Sequence, residues 1–338
     1  MSYGRGAFYD RHEMSRTRTR LAAVAVALAL LAACSSSGKS SSSSSSGNPS
    51  KDDLVAQVAS FDLTVGPPSR ILVGLLTNDQ RFVVFGSAQF RFAYLGTKQD
   101  AKPGTFGEPV AAQFLAIPGV SLPNPLPTEP QVESGSSARG VYAASAGFPQ
   151  AGYYQVQATA KVLGKERTAT AAFAVNDKHT VPAVGQPAPR TENLTMSSTD
   201  APPAAIDSRA TTGAIPDPEL HQTTIAAAIA AHRPAVVVFA TPVFCQSRFC
   251  GPVTDMVQDL SHTYGDRASF IHVEIWRDFQ NQTVNRAAAD WLLNCSVCEP
   301  WVFVIGADGN IAARFDNVTT RDELEPLLKQ LPVIGPAT

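Results

Sequence analysis

Charge is scarce in this chain. Asp, Glu, Lys and Arg supply 17% of the 338 residues, against roughly 25% in ordinary soluble domains, and the formal balance is only −2. A chain this close to neutral carries no global basic field, which argues against nucleic acid as a partner and against electrostatic capture by an anionic membrane. Cysteine is equally sparse, with five residues, too few for a disulfide-framework miniprotein of this length. No apolar run reaches the roughly 20 residues needed to span a bilayer; residues 21–33 form a run of 13. A Gly-rich phosphate loop, a nucleophilic-serine elbow and a His-Glu-x-x-His motif are all missing from the sequence. Hydrophobic residues, by contrast, make up 44%, enough for real cores and too much for wholesale disorder. The length itself corresponds to two domains.

The short apolar run has a recognisable setting. Arg16, Arg18 and Arg20 precede it, and it ends Leu31-Ala32-Ala33-Cys34. A basic lead, a short apolar core and a small-residue end are the pattern of a secretory signal. Its last four residues resemble the bacterial lipobox. That resemblance implies a lipoprotein signal peptide over residues 1–33 and a lipidated Cys34 as first residue of the mature chain. It also implies a lipid anchor at the cell membrane, on the extracytoplasmic face. The alternative is an ordinary cleaved signal in which Cys34 is incidental. Residues 34–55, serine-rich with little to bury, read as a flexible tether. Outside the cytoplasm, disulfides persist.

Residues 56–178 show short period-two runs punctuated by Gly, Pro, Asn and Asp: 61–65, 70–76, 81–85, 89–95, 140–144, 153–160 and 167–175. Seven such strands without a helix predict an antiparallel β-sandwich. Gly152-Tyr153-Tyr154-Gln155-Val156-Gln157-Ala158 resembles the late strand of immunoglobulin-like modules, without the antibody-type disulfide. Nothing in this body suggests catalysis. Residues 179–216, rich in Pro, Ala, Ser and Thr, read as a linker.

After Pro216 the pattern alternates: helices over 219–232, 252–264, 284–293 and 321–330, strands over 235–240, 270–275, 301–305 and 311–315. The uninterrupted apolar strand Ala235–Ala240 predicts a sheet covered on both faces, and Ala307-Asp308-Gly309-Asn310 a hairpin turn. This order, together with Gly185-Gln186-Pro187-Ala188-Pro189 upstream, resembles thioredoxin-fold proteins of the TlpA and peroxiredoxin kind. The resemblance covers residues 217–335 and makes the chain similar to actinobacterial thioredoxin-domain lipoproteins. The fold class expected is therefore multidomain: an all-β immunoglobulin-like sandwich followed by an α/β thioredoxin-like fold.

Four cysteines remain after Cys34, in two close pairs: Cys245 and Cys250, then Cys295 and Cys298. The first pair lies between a strand and a helix, where helix-terminal N–H groups and the dipole favour a thiolate. Arg248 between the two would add a cation. The thioredoxin resemblance implies a redox pair here, yet four residues separate the cysteines where the family has two. Cys250-Gly251-Pro252-Val253 carries valine at the family's second cysteine. Either Cys245 attacks and Cys250 resolves, or the roles are exchanged; Cys245, nearer the strand, is the preferred nucleophile. The resemblance further implies a cis-proline at Pro300 shaping the substrate groove, and Cys295/Cys298 as an auxiliary dithiol.

These readings predict a membrane-anchored thiol–disulfide oxidoreductase with a protein thiol or disulfide partner in the cell envelope, without cofactor or metal. Two other readings stand beside it. In one, the disulfides merely rigidify a non-catalytic binding lipoprotein. In the other, the thiolates serve a Sco-like metal chaperone; the 44 residues between the pairs are too many for a tight zinc ribbon. His262 and His272 read as surface and sheet residues, Asp255 and Asp259 as a solvated helix face. Glu274 reads as a satisfied strand carboxylate or, less simply, a proton relay.

Overall fold

The computed structural model describes residues 50–135, 140–296 and 298–335. The expected signal peptide, Cys34 and most of the expected tether lie outside the described residues.

The first half is β-structure: β1 (Leu54–Val58), β2 (Gly66–Thr77), β3 (Phe82–Val84), β4 (Ser87–Gly96), β5 (Val110–Ala116), β6 (Gln131–Glu133), β7 (Gly140–Phe148), β8 (Gly152–Val162) and β9 (Lys165–Val175). Alternation drives these elements. Along β8, Tyr154, Val156, Ala158, Ala160 and Val162 are buried, while Gln155, Gln157, Thr159 and Lys161 face the other way. The strands form one continuous nine-stranded sheet, in the order β6-β3-β2-β7-β5-β4-β8-β9 with β1 on β2. The two-sheet sandwich expected from the pattern is therefore not what the hydrogen bonding gives. The cause is the length of β2, which pairs with β7 over Gly66–Val73 and with β1 over Val73–Thr77. The sheet then curls until β1 packs on β9, enclosing a core that includes Phe90, Tyr142, Phe148 and Val156. Residues 61–65, expected as a strand, make only an isolated bridge from Thr64 to Asn176. At the start of β8 the Tyr154 hydroxyl donates to the Gln150 carbonyl (3.0 Å).

The second half has a four-stranded sheet of β10 (Ala235–Ala240), β11 (Ser269–Glu274), β14 (Trp301–Ile305) and β15 (Ile311–Asp316), ordered β11-β10-β14-β15. β11 runs parallel to β10, and β14 antiparallel to it. A small ribbon, β12 (Trp276–Asp278) with β13 (Thr283–Val284), follows β11. Four helices accompany the strands: α1 (Ile225–Ala230), α2 (Cys250–Tyr264), α3 (Arg286–Leu292) and α4 (Arg321–Gln330). α2 and α4 bury Val257, Leu260, Leu324 and Leu328 against one sheet face, with Val236 and Val238. α1 and α3 bury Ile225, Ile229, Ala288 and Trp291 against the other, with Val237 and Phe239. Both faces of β10 are thus covered, which is why every one of its residues is apolar and buried.

Residues 179–216 are not a free linker. Val181 and Ala188 enter the same core as Phe239 and Trp291, and Asp207 and Ser208 are buried beneath β11. The Pro and Ala content that suggests a linker here serves an extended strap, which needs no helix to bury its side chains.

The halves meet over a polar and an apolar seam. Arg70 of β2 donates to the Asp316 and Val318 carbonyls and pairs with Asp316 and Glu323. Asp62 accepts from Arg314 (2.8 Å) and from the Thr180 amide (2.8 Å). Leu72, Val141 and Val318 form a small cluster with Phe249, so the β-sheet directly braces the loop that carries the first cysteine pair.

Candidate functional site

Both cysteine pairs are disulfides: Cys245–Cys250 and Cys295–Cys298. The first closes the loop between the end of β10 and the first turn of α2. Its two sulfurs sit differently. Cys250 is completely buried beside Val253 and Val302, whereas Cys245 is half-buried. The Cys250 amide, one of the donors left unpaired at a helix start, points at Cys245 Sγ (3.3 Å), and the Ser247 hydroxyl lies at the same distance. The donors around Cys245 thus come from the helix end and a serine. Arg248, expected to act on this sulfur, is exposed with left-handed backbone (φ 62°) and makes neither of these contacts.

The buried sulfur faces a carboxyl group. Glu299 Oε2 lies 3.6 Å from Cys250 Sγ and accepts the Thr241 amide at 2.7 Å. This ties the end of β10 to the approach of β14. Desolvation of the Glu299 carboxyl, with Glu274 nearby, pushes its pKa up to about 8. Near neutral pH it is mostly a protonated acid next to a disulfide sulfur. The following bond, Glu299–Pro300, is cis, and Pro300 is buried. Glu274 is fully buried at the end of β11, accepts the Ser208 amide at 2.8 Å and the Trp276 amide at 3.2 Å, and is held above the ordinary carboxylate range by burial.

Compared with protein-family models, with curated proteins and with solved structures, the chain matches none.

The second disulfide sits at the end of α3, just before Glu299, so the two pairs share one region. A groove of about 1080 Å³ runs past it, lined by Phe244, Phe249, Trp276, Phe279, Cys295 and Cys298 on one side and by Val58, Leu75 and Phe82 of the β-sheet on the other. Phe244 and Phe279 stack face to face at 3.8 Å on its wall. The groove is largely apolar, with Arg248 and Glu299 as its charged or titratable members.

A polar cluster escaped sequence reasoning altogether. Asp207, Asp217, His221 and His272 are all buried, with ligand atoms within 4.8 Å of one another, a set that could hold a metal ion. The place of a cation between the carboxylates is taken by Arg209, whose guanidinium contacts Asp207 and Asp217 at 2.7 Å each. Burial alone would hold the His272 imidazole neutral. The two carboxylates outweigh burial and push it up to about 10, so it acts as a second internal cation. Two carboxylates, a guanidinium and an imidazolium close the charge balance without a metal. Two of these residues lie in the stretch that reads as a linker, where a pattern search places no core. His272 is a sheet residue, as expected, but one with a charged environment. Asp255 pairs with Arg209 at 2.7 Å, and His262 with Glu219 at 2.9 Å, both at the surface.

Proposed function

We propose that the protein is an extracytoplasmic thiol–disulfide oxidoreductase, held at the membrane by a lipid on Cys34, that works through the Cys245–Cys250 pair. The observation that carries the reading is an asymmetric disulfide at a helix start, with one accessible sulfur and one buried sulfur beside a protonated carboxyl. On this reading the second half is a thioredoxin-like domain, a view supported by the β11-β10-β14-β15 order and by the cis Pro300 opposite the cysteine loop. The first half keeps the antiparallel pairing of an immunoglobulin-like module and the Tyr154 hydrogen bond to its own upstream backbone, with its strands joined in one curled sheet in place of two.

The chemistry follows from the two environments. A thiolate of the partner protein attacks Cys245 Sγ, the sulfur it can reach, forming a mixed disulfide as the Cys245–Cys250 bond breaks. The electron pair of that bond leaves on Cys250, which takes the proton of Glu299 at 3.6 Å. The partner's second thiol loses its proton and attacks its own bridged sulfur, releasing Cys245 as a thiolate that the Cys250 amide and Ser247 stabilise. The partner is oxidised by two electrons and the pair reduced; the reverse sequence reduces a partner disulfide.

Titration of the full chain in thiol redox buffers, with alkylated cysteines counted by mass, tests this. A first pair opening between about −120 and −270 mV behaves as a catalytic disulfide. In a Cys295→Ser, Cys298→Ser background, Cys245→Ser combined with Cys250→Ser is then expected to abolish exchange with a model disulfide. Bridges that both resist reduction below about −300 mV are structural and return the chain to the reading of a binding lipoprotein.

A further inference from the structure

The Cys295–Cys298 disulfide is as asymmetric as the first, and in a way that names its reactive sulfur. The indole Nε1–H of Trp301 donates to Cys298 Sγ at 3.1 Å. That donor is fixed in direction: Trp301 is buried, stacked on Phe303 with 5.4 Å between centroids, and covered by the Arg314 guanidinium at 5.3 Å. Cys295 Sγ instead lies 3.1 Å from the Leu292 carbonyl oxygen. A carbonyl accepts from a thiol S–H and opposes a thiolate. The Cys298 amide reaches Cys295 Sγ at 3.3 Å and offsets part of this. A backbone donor set against a carbonyl acceptor, however, is weaker support for negative charge than an unopposed, locked indole N–H. Both cysteines line the groove and are half-buried, so either sulfur can be approached.

We propose that Cys295–Cys298 is a second redox site in which Cys298 is the nucleophilic thiolate, Cys295 the resolving thiol and Trp301 the residue that positions and stabilises the thiolate. Its substrate class is a protein or small-molecule disulfide that enters the groove. Cys298 thiolate attacks one sulfur of that disulfide. A Cys298 mixed disulfide forms, the substrate bond breaks, and its other sulfur leaves as a thiolate that takes a proton from water. Cys295 then gives up its proton and attacks the Cys298 sulfur, restoring the Cys295–Cys298 bridge and releasing the second substrate thiol. Two electrons pass from the protein dithiol to the substrate, and a dithiol reductant, dithiothreitol in the assay, returns the pair to its reduced form. The assignment shares with the function proposed above only the idea of thiol–disulfide exchange; its sulfurs are different, and they line the groove.

The test is the pH profile of alkylation, read peptide by peptide in the dithiothreitol-reduced full chain, with iodoacetamide as the probe. Cys298 is expected to react at lower pH than Cys295. Trp301→Phe, which keeps a ring in the core, is expected to raise the Cys298 midpoint by about one pH unit, a tenfold loss of thiolate at fixed lower pH. The Cys295 profile should stay where it was. The single variants Cys295→Ser and Cys298→Ser, each leaving one thiol of the pair, repeat the comparison without Trp301 being touched. Cys295 reacting first, or a Cys298 profile indifferent to Trp301→Phe, overturns the proposal. Repeating the measurement in a Cys245→Ser, Cys250→Ser chain, and assaying exchange by the first pair in a Cys295→Ser, Cys298→Ser chain, separates the two sites. A normal Cys298 profile in the former with no exchange in the latter refutes only the earlier reading, and the converse refutes only this one.

Discussion

Replacing Glu299 by Gln should change how stability and exchange depend on pH. Glutamine has the same shape and can still accept the Thr241 amide that Glu299 accepts at 2.7 Å, but it cannot titrate. In the native protein the Glu299 carboxyl is raised from an ordinary 4.5 to about 8, so the folded state holds this proton more tightly than the unfolded chain does. The stabilisation linked to a raised pKa is complete below pH 4.5 and drains away as pH rises through 8. One pKa unit corresponds to about 1.4 kcal/mol. A carboxyl that relaxes or gains water on ionising returns less than the full shift, so a loss of about 2–4 kcal/mol between pH 5 and 9 is expected. Urea midpoints of the oxidised native and Glu299→Gln proteins, taken across that range, isolate the effect, because His272 and the other titrating groups are common to both. The difference should grow steadily with pH in favour of the glutamine variant. Exchange should lose its inflection near pH 8 in the same variant and slow at neutral pH, since Cys250 no longer leaves beside an acid. Parallel stability curves would refute the placement of a protonated Glu299 in the folded site, whatever the activity did.

Asp62 titrates in the opposite sense. Burial alone would raise its carboxyl, but hydrogen bonds from His179 and Thr180 and the Arg314 guanidinium hold it down at about 2. Its contribution is therefore present above pH 3.8 and lost as pH falls toward 2; Asp62→Asn should cost about 2 kcal/mol at pH 7 and show a shallower acid transition by circular dichroism. Gly86 adopts a left-handed backbone, and a Cβ there would lie 2.6 Å from the backbone of Glu129 and Pro130. Gly86→Ala should accordingly destabilise the oxidised protein by about 2–4 kcal/mol in urea, from overpacking added to backbone strain, while both disulfides still form.

The second half was the more legible in sequence. Its strands are continuous apolar runs and its helices have a periodic face, so β10, α2, β14, β15 and α4 fall close to where the pattern puts them. The expected helix over 219–232 shrinks to Ile225–Ala230, because Thr224 caps it through the Ala227 amide and Pro218 starts a separate turn. The first half was legible strand by strand but not in its assembly. β1, β5 and β6 are short or weakly alternating, and nothing local records that β2 switches partners along its length. At the site, the two cysteine pairs stood out by spacing alone, whereas their surroundings did not. Glu299 stands before a proline in sequence, and only the fold brings to it Thr241, just past β10 and 58 positions upstream, and Cys250, at the start of α2 and 49 positions upstream. Nothing in the sequence pattern tells that the Trp301 N–H faces a sulfur.

The strap formed by residues 179–216 also decides where the chain can be divided. A fragment beginning at residue 217 would include every cysteine of the groove, yet it would lack Val181 and Ala188 from its core and the Ser208 amide that holds Glu274. It would also keep His272 without Asp207, stranding an imidazole beside half of its counter-charge. The disulfide-bearing half is therefore no cassette that recombination could have moved as residues 217–335. Any transplantable unit has to begin upstream of Val181, and one that begins there still leaves Arg314 without Asp62. A groove engineered from this protein has to keep the sheet that walls it.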